Sequence, residues 1–166
     1  MILKNRSRNK ETVSTEITWS CKNFHQLDNE ELYQALKLRS KVFVVEQDCV
    51  YEDLDDMDQQ AYHLVGYQDG RLLCYARLFE PGIKYPAASI GRVISSNEVR
   101  GKGYGKLLML EAIRSCSNLW PDTAVSISAQ QHLENFYQSI GFETVSEPYM
   151  EDGIPHIEMC KSANAE

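Results

Sequence analysis

Residues 93–106 read V-I-S-S-N-E-V-R-G-K-G-Y-G-K, and no other stretch constrains the fold of this chain as much. The end of an apolar strand runs into a short turn, then three glycines in five positions, then the start of a helix. Glycine permits positive φ and lets a backbone approach a ligand closely. The helix N-terminus behind it offers unpaired N–H groups and a partial positive charge, which suits a pyrophosphate. Arg100, Lys102 and Lys106 add mobile cations. A plain flexible turn also uses glycines, so spacing has to discriminate. Gly101-x-Gly103-x-Gly105 is not the Gly-x-x-x-x-Gly-Lys-Ser/Thr of a P-loop. Nor is it the Gly-x-Gly-x-x-Gly of a dinucleotide fingerprint.

The rest of the chain supplies elements around this segment. Residues 14–20 are rich in β-formers and predict a first strand. Asp28, with Glu31 three residues on, predicts a capped helix with a mostly apolar face of Leu32, Ala35, Leu36, Arg39 and Phe43. Asp69-Gly70 between two apolar runs predicts a hairpin over residues 62–79. Residues 80–86 hold two prolines and a glycine and read as a loop. Residues 89–95 predict a strand, residues 100–117 the glycine loop with an amphipathic helix, and Trp120-Pro121-Asp122 its end. A strand over 124–129 and a short helix ending at Gly141 follow. Two last strands, 143–149 and 154–161, flank Glu151-Asp152-Gly153. The order β-α-β-β-β-α-β-α-β-β implies a mixed α/β (α+β) fold with helices on both sheet faces.

Length fits one domain, expected over residues 14–166, behind a disordered basic tail at residues 1–13. No apolar run approaches the roughly 18 residues of a membrane span, and no apolar segment backs the basic N-terminus as in a secretory signal. Five widely spaced cysteines without a Cys-x-x-Cys pair argue against a disulfide framework and against a metal site. The expectation is a cytoplasmic protein with reduced thiols, no membrane partner and no metal. A net charge of −7 disfavours nucleic acid. Residues 46–58 carry seven of the acids and no base. Such a run reads as a solvated loop or as the lining of a site for a cationic amine. It lacks the glycine and distal glutamate of an EF-hand.

Two motifs then resemble one family. Arg100-Gly101-Lys102-Gly103-Tyr104-Gly105 resembles the Arg/Gln-x-x-Gly-x-Gly/Ala pyrophosphate loop of the GNAT superfamily of N-acyltransferases. Downstream, Phe136-Tyr137-Gln138-Ser139-Ile140-Gly141-Phe142 resembles its F-Y-x-x-x-G-F segment. Val42-Phe43-Val44-Val45-Glu46-Gln47, Gly91-Arg92-Val93-Ile94 and Glu151-Asp152-Gly153-Ile154-Pro155-His156 extend the likeness to the ElaA group over roughly residues 25–160. The resemblance implies a mostly antiparallel sheet and direct acetyl transfer from acetyl-CoA to a small-molecule or peptide amine, in a monomer or homodimer. It implies that Val93, Ile94 and Ser95 run beside the pantetheine arm and polarise the thioester, and that residues 100–106 hold the pyrophosphate, with Gln130 on the cofactor arm where the family often has Asn. Tyr137 takes the place of the general acid. The base is open among His63, His132, His156 and Glu46, with His156 and Glu46 foremost.

Two other readings stay beside it. Arg39-x-x-x-Phe43, the acidic segment and Ala76-Arg77-Leu78 also resemble acyl-homoserine lactone synthases, which share this fold. A non-catalytic acyl-CoA sensor is the other.

Overall fold

The computed structural model describes residues 16–163, so the basic tail expected at residues 1–13 lies outside the described residues. Within them an eight-stranded sheet runs in the order β1-β2-β3-β4-β5-β8-β6, with β7 paired to β8. The strands are β1 Thr18–Asn23, β2 Tyr62–Gln68, β3 Arg71–Phe79, β4 Ala88–Ser95, β5 Val125–Gln130, β6 Glu143–Thr144, β7 Tyr149–Glu151 and β8 Ile154–Lys161. All pairs are antiparallel except β4 with β5. The strand expected over 143–149 is instead two short pieces against β8, with residues 145–148 between them.

Local chemistry explains the boundaries. Asp28 Oδ1 accepts from Glu31 N–H at 2.8 Å, and Glu31 Oε2 accepts from Asp28 N–H at 3.0 Å, a reciprocal cap that opens α1 (Asn29–Arg39). The helix then widens into a π-helical continuation, Ser40–Glu46, which carries Val42 and Phe43 over the sheet. Asp69 and Gly70 both have positive φ, 51° and 72°, the primed turn that matches strand twist. α2 (Tyr104–Leu119) ends at Trp120, and α3 (Glu134–Gln138) is closed by Gly141 at φ 94°.

Alternation along β3 divides the core between two faces. Cys74, Ala76 and Leu78 pack with Leu108, Met109, Ala112 and Cys116 of α2. Tyr75 faces the other way, with Ala35 of α1, Val42, Val65 and Ile94. On this second face the acidic segment is tied down. Arg39 is fully buried, its Nε donating to Asp53 Oδ2 at 2.8 Å and its Nη1 to Asp58 Oδ1 at 2.6 Å. Arg77 grips Asp55 with two bonds of 2.6 Å and also donates to Asp58 at 2.8 Å.

Breaking such a buried set strands a charge. Arg39→Met should therefore destabilise the fold by about 3–5 kcal/mol in urea unfolding. The pH dependence has a definite sign. Burial alone would raise the Asp58 carboxyl, but hydrogen bonds and charge from Arg77 and Arg39 hold it below its ordinary 3.8. A lowered folded-state pKa contributes stability that is present above 3.8 and lost as pH falls through the folded value. Asp58→Asn should be less stable at neutral pH, yet decline less steeply than wild type below pH ~4.

Candidate active site

The site exists because two neighbouring strands stop pairing. β4 and β5 are in register only at Ala88↔Val125 and Ser89↔Ser126. Beyond Ser89 they splay, and β5 is held along its other edge by β8, from Val125↔Lys161 to Gln130↔His156. Backbone groups of β4 from Ile90 onward that would have bonded to β5 are left facing the gap. On the β3 side, Arg77 pairs with Gly91 and Tyr75 with Ile94, so Arg92 and Val93 together oppose Ala76. This is a β-bulge, and Arg92 carries a left-handed φ of 51° to make it. Arg92 is held from the acidic segment by charge and ring contact: its Nε lies 2.8 Å from Asp53 Oδ1, an ion pair without hydrogen-bond alignment, and its guanidinium sits 5.6 Å from the Phe43 ring centre.

A cleft of about 620 Å³ occupies the splay. Of the residues singled out in the sequence, Val93, Ile94, Ser95, Arg100, Gln130, Tyr137 and His156 line it. Gly101, Lys102, Gly103, Tyr104, Gly105 and Lys106 follow from Arg100 as the turn and first residues of α2. Gly101 and Gly103 have φ of 73° and 85°, and a Cβ added at Gly101, Gly103 or Gly105 would meet nothing within 4 Å. The loop thus presents a bare, open backbone at a 16-residue helix whose first N–H groups have no intrahelical acceptor. These residues fit a pyrophosphate. Arg100 is braced by its own neighbourhood, Nε donating to Ser95 O at 3.0 Å and Nη2 lying 2.9 Å from Glu46 Oε2.

Tyr137 is buried between two rings, with centroids 5.0 Å from Phe136 and 6.0 Å from Phe142, both edge-on. Gly141 sets this up, because its turn brings Phe142 N–H to Tyr137 O at 3.1 Å. Burial pushes the Tyr137 phenol up to about 12, so it stays protonated at neutral pH. His156 donates from Nδ1 to Ile154 O at 2.8 Å, which leaves Nε2 of the neutral ring as the unprotonated nitrogen. Its ring stacks on Tyr149 at 6.3 Å and 26°.

Three sequence expectations change here. The acidic run is a solvated loop only in part: Asp48, Glu52 and Asp56 are exposed, while Asp53, Asp55 and Asp58 turn inward onto Arg39, Arg77 and Arg92 and leave no free anionic lining of their own. His63 is no base for this cleft: it is fully buried, its Nε2 donating to Asp58 O at 3.0 Å and its Nδ1 accepting from Tyr75 OH at 2.8 Å. Burial holds its pKa below the ordinary 6.5. Glu46 is not among the cleft-lining residues, and both its oxygens are engaged, one by Arg100 and one by Asn97 Nδ2 at 2.7 Å. His132 is exposed beyond β5.

Phe79, Lys84, Tyr85, Ser89 and Ser128 also line the cleft without being singled out in the sequence, and Arg77 enters there only through the likeness to lactone synthases. For Arg77 a signal existed: a lone arginine inside the apolar run of β3. Lys84 and Tyr85 sit on a loop whose sequence carries no such signal.

The comparisons agree with this geometry. Residues 15–163 match the acetyltransferase (GNAT) domain family. The chain is 43% identical to protein ElaA of Escherichia coli over 147 residues, 87% of this chain and 96% of that one. The solved ElaA structure superposes with a TM-score of 0.83, covering 89% of this chain and all of ElaA. An acyl-CoA N-acyltransferase from Pseudomonas aeruginosa superposes at 0.85 with 44% identity, again over 89% of this chain and 100% of the other. A CoA-dependent acyl-homoserine lactone synthase superposes at 0.72 with 14% identity over 90% of this chain and 84% of its own, a likeness of fold alone. With a splayed β4–β5 pair, a bulged β4 and an open glycine loop at the head of α2, this chain belongs to the GNAT acetyltransferase family and is an acyltransferase of its ElaA-like group.

Proposed function

We propose that this protein transfers an acetyl group from acetyl-CoA to the amine of a small acceptor, directly, with both substrates in the cleft. The observation that carries this reading is the splay itself. It leaves unpaired β4 backbone groups facing a cleft that a buried phenol lines and from which β4 leads on into an open glycine loop.

Bound along β4, acetyl-CoA supplies an activated thioester carbonyl. The bare turn of residues 101–105 and the N-terminus of α2 hold the pyrophosphate. Val93, Ile94 and Ser95 run beside the pantetheine arm, and N–H groups freed by the bulge stabilise negative charge developing on the carbonyl oxygen, a contribution of roughly 3–4 kcal/mol for one well-placed donor. Gln130 faces the arm from β5. Tyr137 donates its proton to the departing thiolate. His156, with Nε2 unprotonated, takes the proton of the amine, since Glu46 lies off the cleft lining. Holding amine and carbonyl together lowers the barrier further. The cytoplasm, where acetyl-CoA and reduced thiols coexist, is the compartment this chemistry needs.

Two outcomes test it. In calorimetric titration, acetyl-CoA should bind the wild type, and the double variant Gly103→Asp/Gly105→Asp should lose that binding while keeping its circular dichroism spectrum. The two carboxylates enter the open backbone cradle and repel the pyrophosphate; a folded wild type that binds no acetyl-CoA ends the reading.

Tyr137→Phe should bind acetyl-CoA as before but turn over about 10²-fold more slowly. Because burial raises the phenol, the alkaline limb of wild-type kcat should lie above the ordinary value of 10. An unchanged kcat in Tyr137→Phe would remove Tyr137 as the acid.

A further inference from the structure

On the acceptor side of the cleft, several polar groups lack the partners their burial calls for. Ser89 is 3% exposed and its Oγ has no hydrogen-bond partner. Arg77 is 1% exposed; its Nη atoms are taken by Asp55 and Asp58, but its Nε is unpaired. Buried donors left unmade are expensive and rare, and here both residues line the same cavity. They are close in the sheet, since Ser89 pairs across the ladder with Phe79, two residues from Arg77.

Lys84 joins them at the rim. Its side chain is 36% exposed and its Nζ lies 5.1 Å from the centre of the Phe79 ring, over which the Arg77 guanidinium also sits at 4.9 Å. Its one ion-pair partner among the described residues, Asp55 at 3.9 Å, is already bound at both oxygens by Arg77. Four cations, Arg39, Arg77, Lys84 and Arg92, thus share three carboxylates, Asp53, Asp55 and Asp58, and one positive charge is in excess. Burial and the charge of Arg77 hold the Lys84 ammonium below its ordinary 10.5, as expected of a cation short of anions.

The other side of the acceptor cleft has the opposite excess. Glu151 lines it and makes no ion pair among the described residues; its partner is the neutral Ser128 hydroxyl, which donates to Oε2 at 2.7 Å. Lys84 and Glu151 feel each other's charge without coming into contact. His156 and Gln130 also line the cleft, on the paired strands β8 and β5. One wall therefore lacks an anion and the other lacks a cation.

We infer that the acceptor is a small amino carboxylate, of the α-amino acid class, whose carboxylate is held by Lys84 Nζ, Ser89 Oγ and Arg77 Nε while its amine end faces Glu151 and His156. This rests on the acyl-transfer reading and narrows it. A polyamine brings no anion to the Lys84 wall, and a peptide N-terminus has no carboxylate next to its amine.

The test compares L-amino acids (alanine, methionine, phenylalanine, glutamate) with their amides and with the corresponding amines, plus putrescine. Binding is read by calorimetry on the protein alone and turnover by release of the CoA thiol. The amino acids should exceed their amides by about 10- to 100-fold in kcat/KM. Lys84→Gln should bring that ratio toward one, Lys84→Arg should retain it, and Ser89→Ala should lower it. A general structural defect would slow acid and amide alike. Amides or putrescine matching the amino acids in wild type, or a preference that survives Lys84→Gln, overturns the inference. So does the absence of zwitterion binding up to ~10 mM in a protein that binds acetyl-CoA. Zwitterion binding by a protein that binds no acetyl-CoA leaves this site standing and ends the acetyl-transfer reading instead.

Discussion

The lattice of Arg39, Arg77 and Arg92 with Asp53, Asp55 and Asp58 is the interaction on which the rest of this structure depends. It joins α1, the acidic segment, β3 and β4 at one place. Buried ion pairs of this kind add little net stability over an apolar replacement, because desolvation offsets most of the attraction. Removing one member is another matter, for it leaves its partner charged and dry. The consequence is positional: no element in the lattice can shift without stranding a charge.

That rigidity matters most at Arg92. A left-handed φ on an arginine inside a strand is a strained state, held only where its surroundings over-determine it. Asp53 and the Phe43 ring supply that determination. The bulge then re-aims the backbone of β4 just as β5 departs toward β8. Acidic residues some forty positions upstream thereby help shape the strand that lines the cleft, although the carboxylates themselves are occupied by arginines. The same neighbourhood is one cation richer than it is in anions, which distinguishes the two walls of the cleft.

Parts of this were legible in sequence because they are local. The cap of Asp28 with Glu31, the primed turn at Asp69-Gly70 and the left-handed Gly141 each depend on contacts within three or four residues. The glycine loop was legible for the same reason, as backbone without side chains leading into a helix. The role of the acidic run was not. Its pairs span 14 residues to Arg39 and 22 to Arg77, and seven acids spread over residues 46–58 do not say which three turn inward. His63 misled because a histidine in a strand looks alike whether it faces a cleft or a buried tyrosine. Glu46 misled because its partners, Asn97 and Arg100, lie on a distant turn.

The sequence by itself determined most of the elements and their order, the open glycine loop and the presence of Tyr137 on a short helix, since turn conformation, capping and hydrophobic period act over a few residues. Only the tertiary structure decided the splay of β4 from β5, the bulge at Arg92, and the meeting of Arg77, Lys84, Ser89 and Glu151 in one cleft. Those features are set by which strands neighbour each other and by charge pairs closed across long loops. Such pairs have no signature in any window of the chain, because each partner's environment is supplied by residues far from it in sequence.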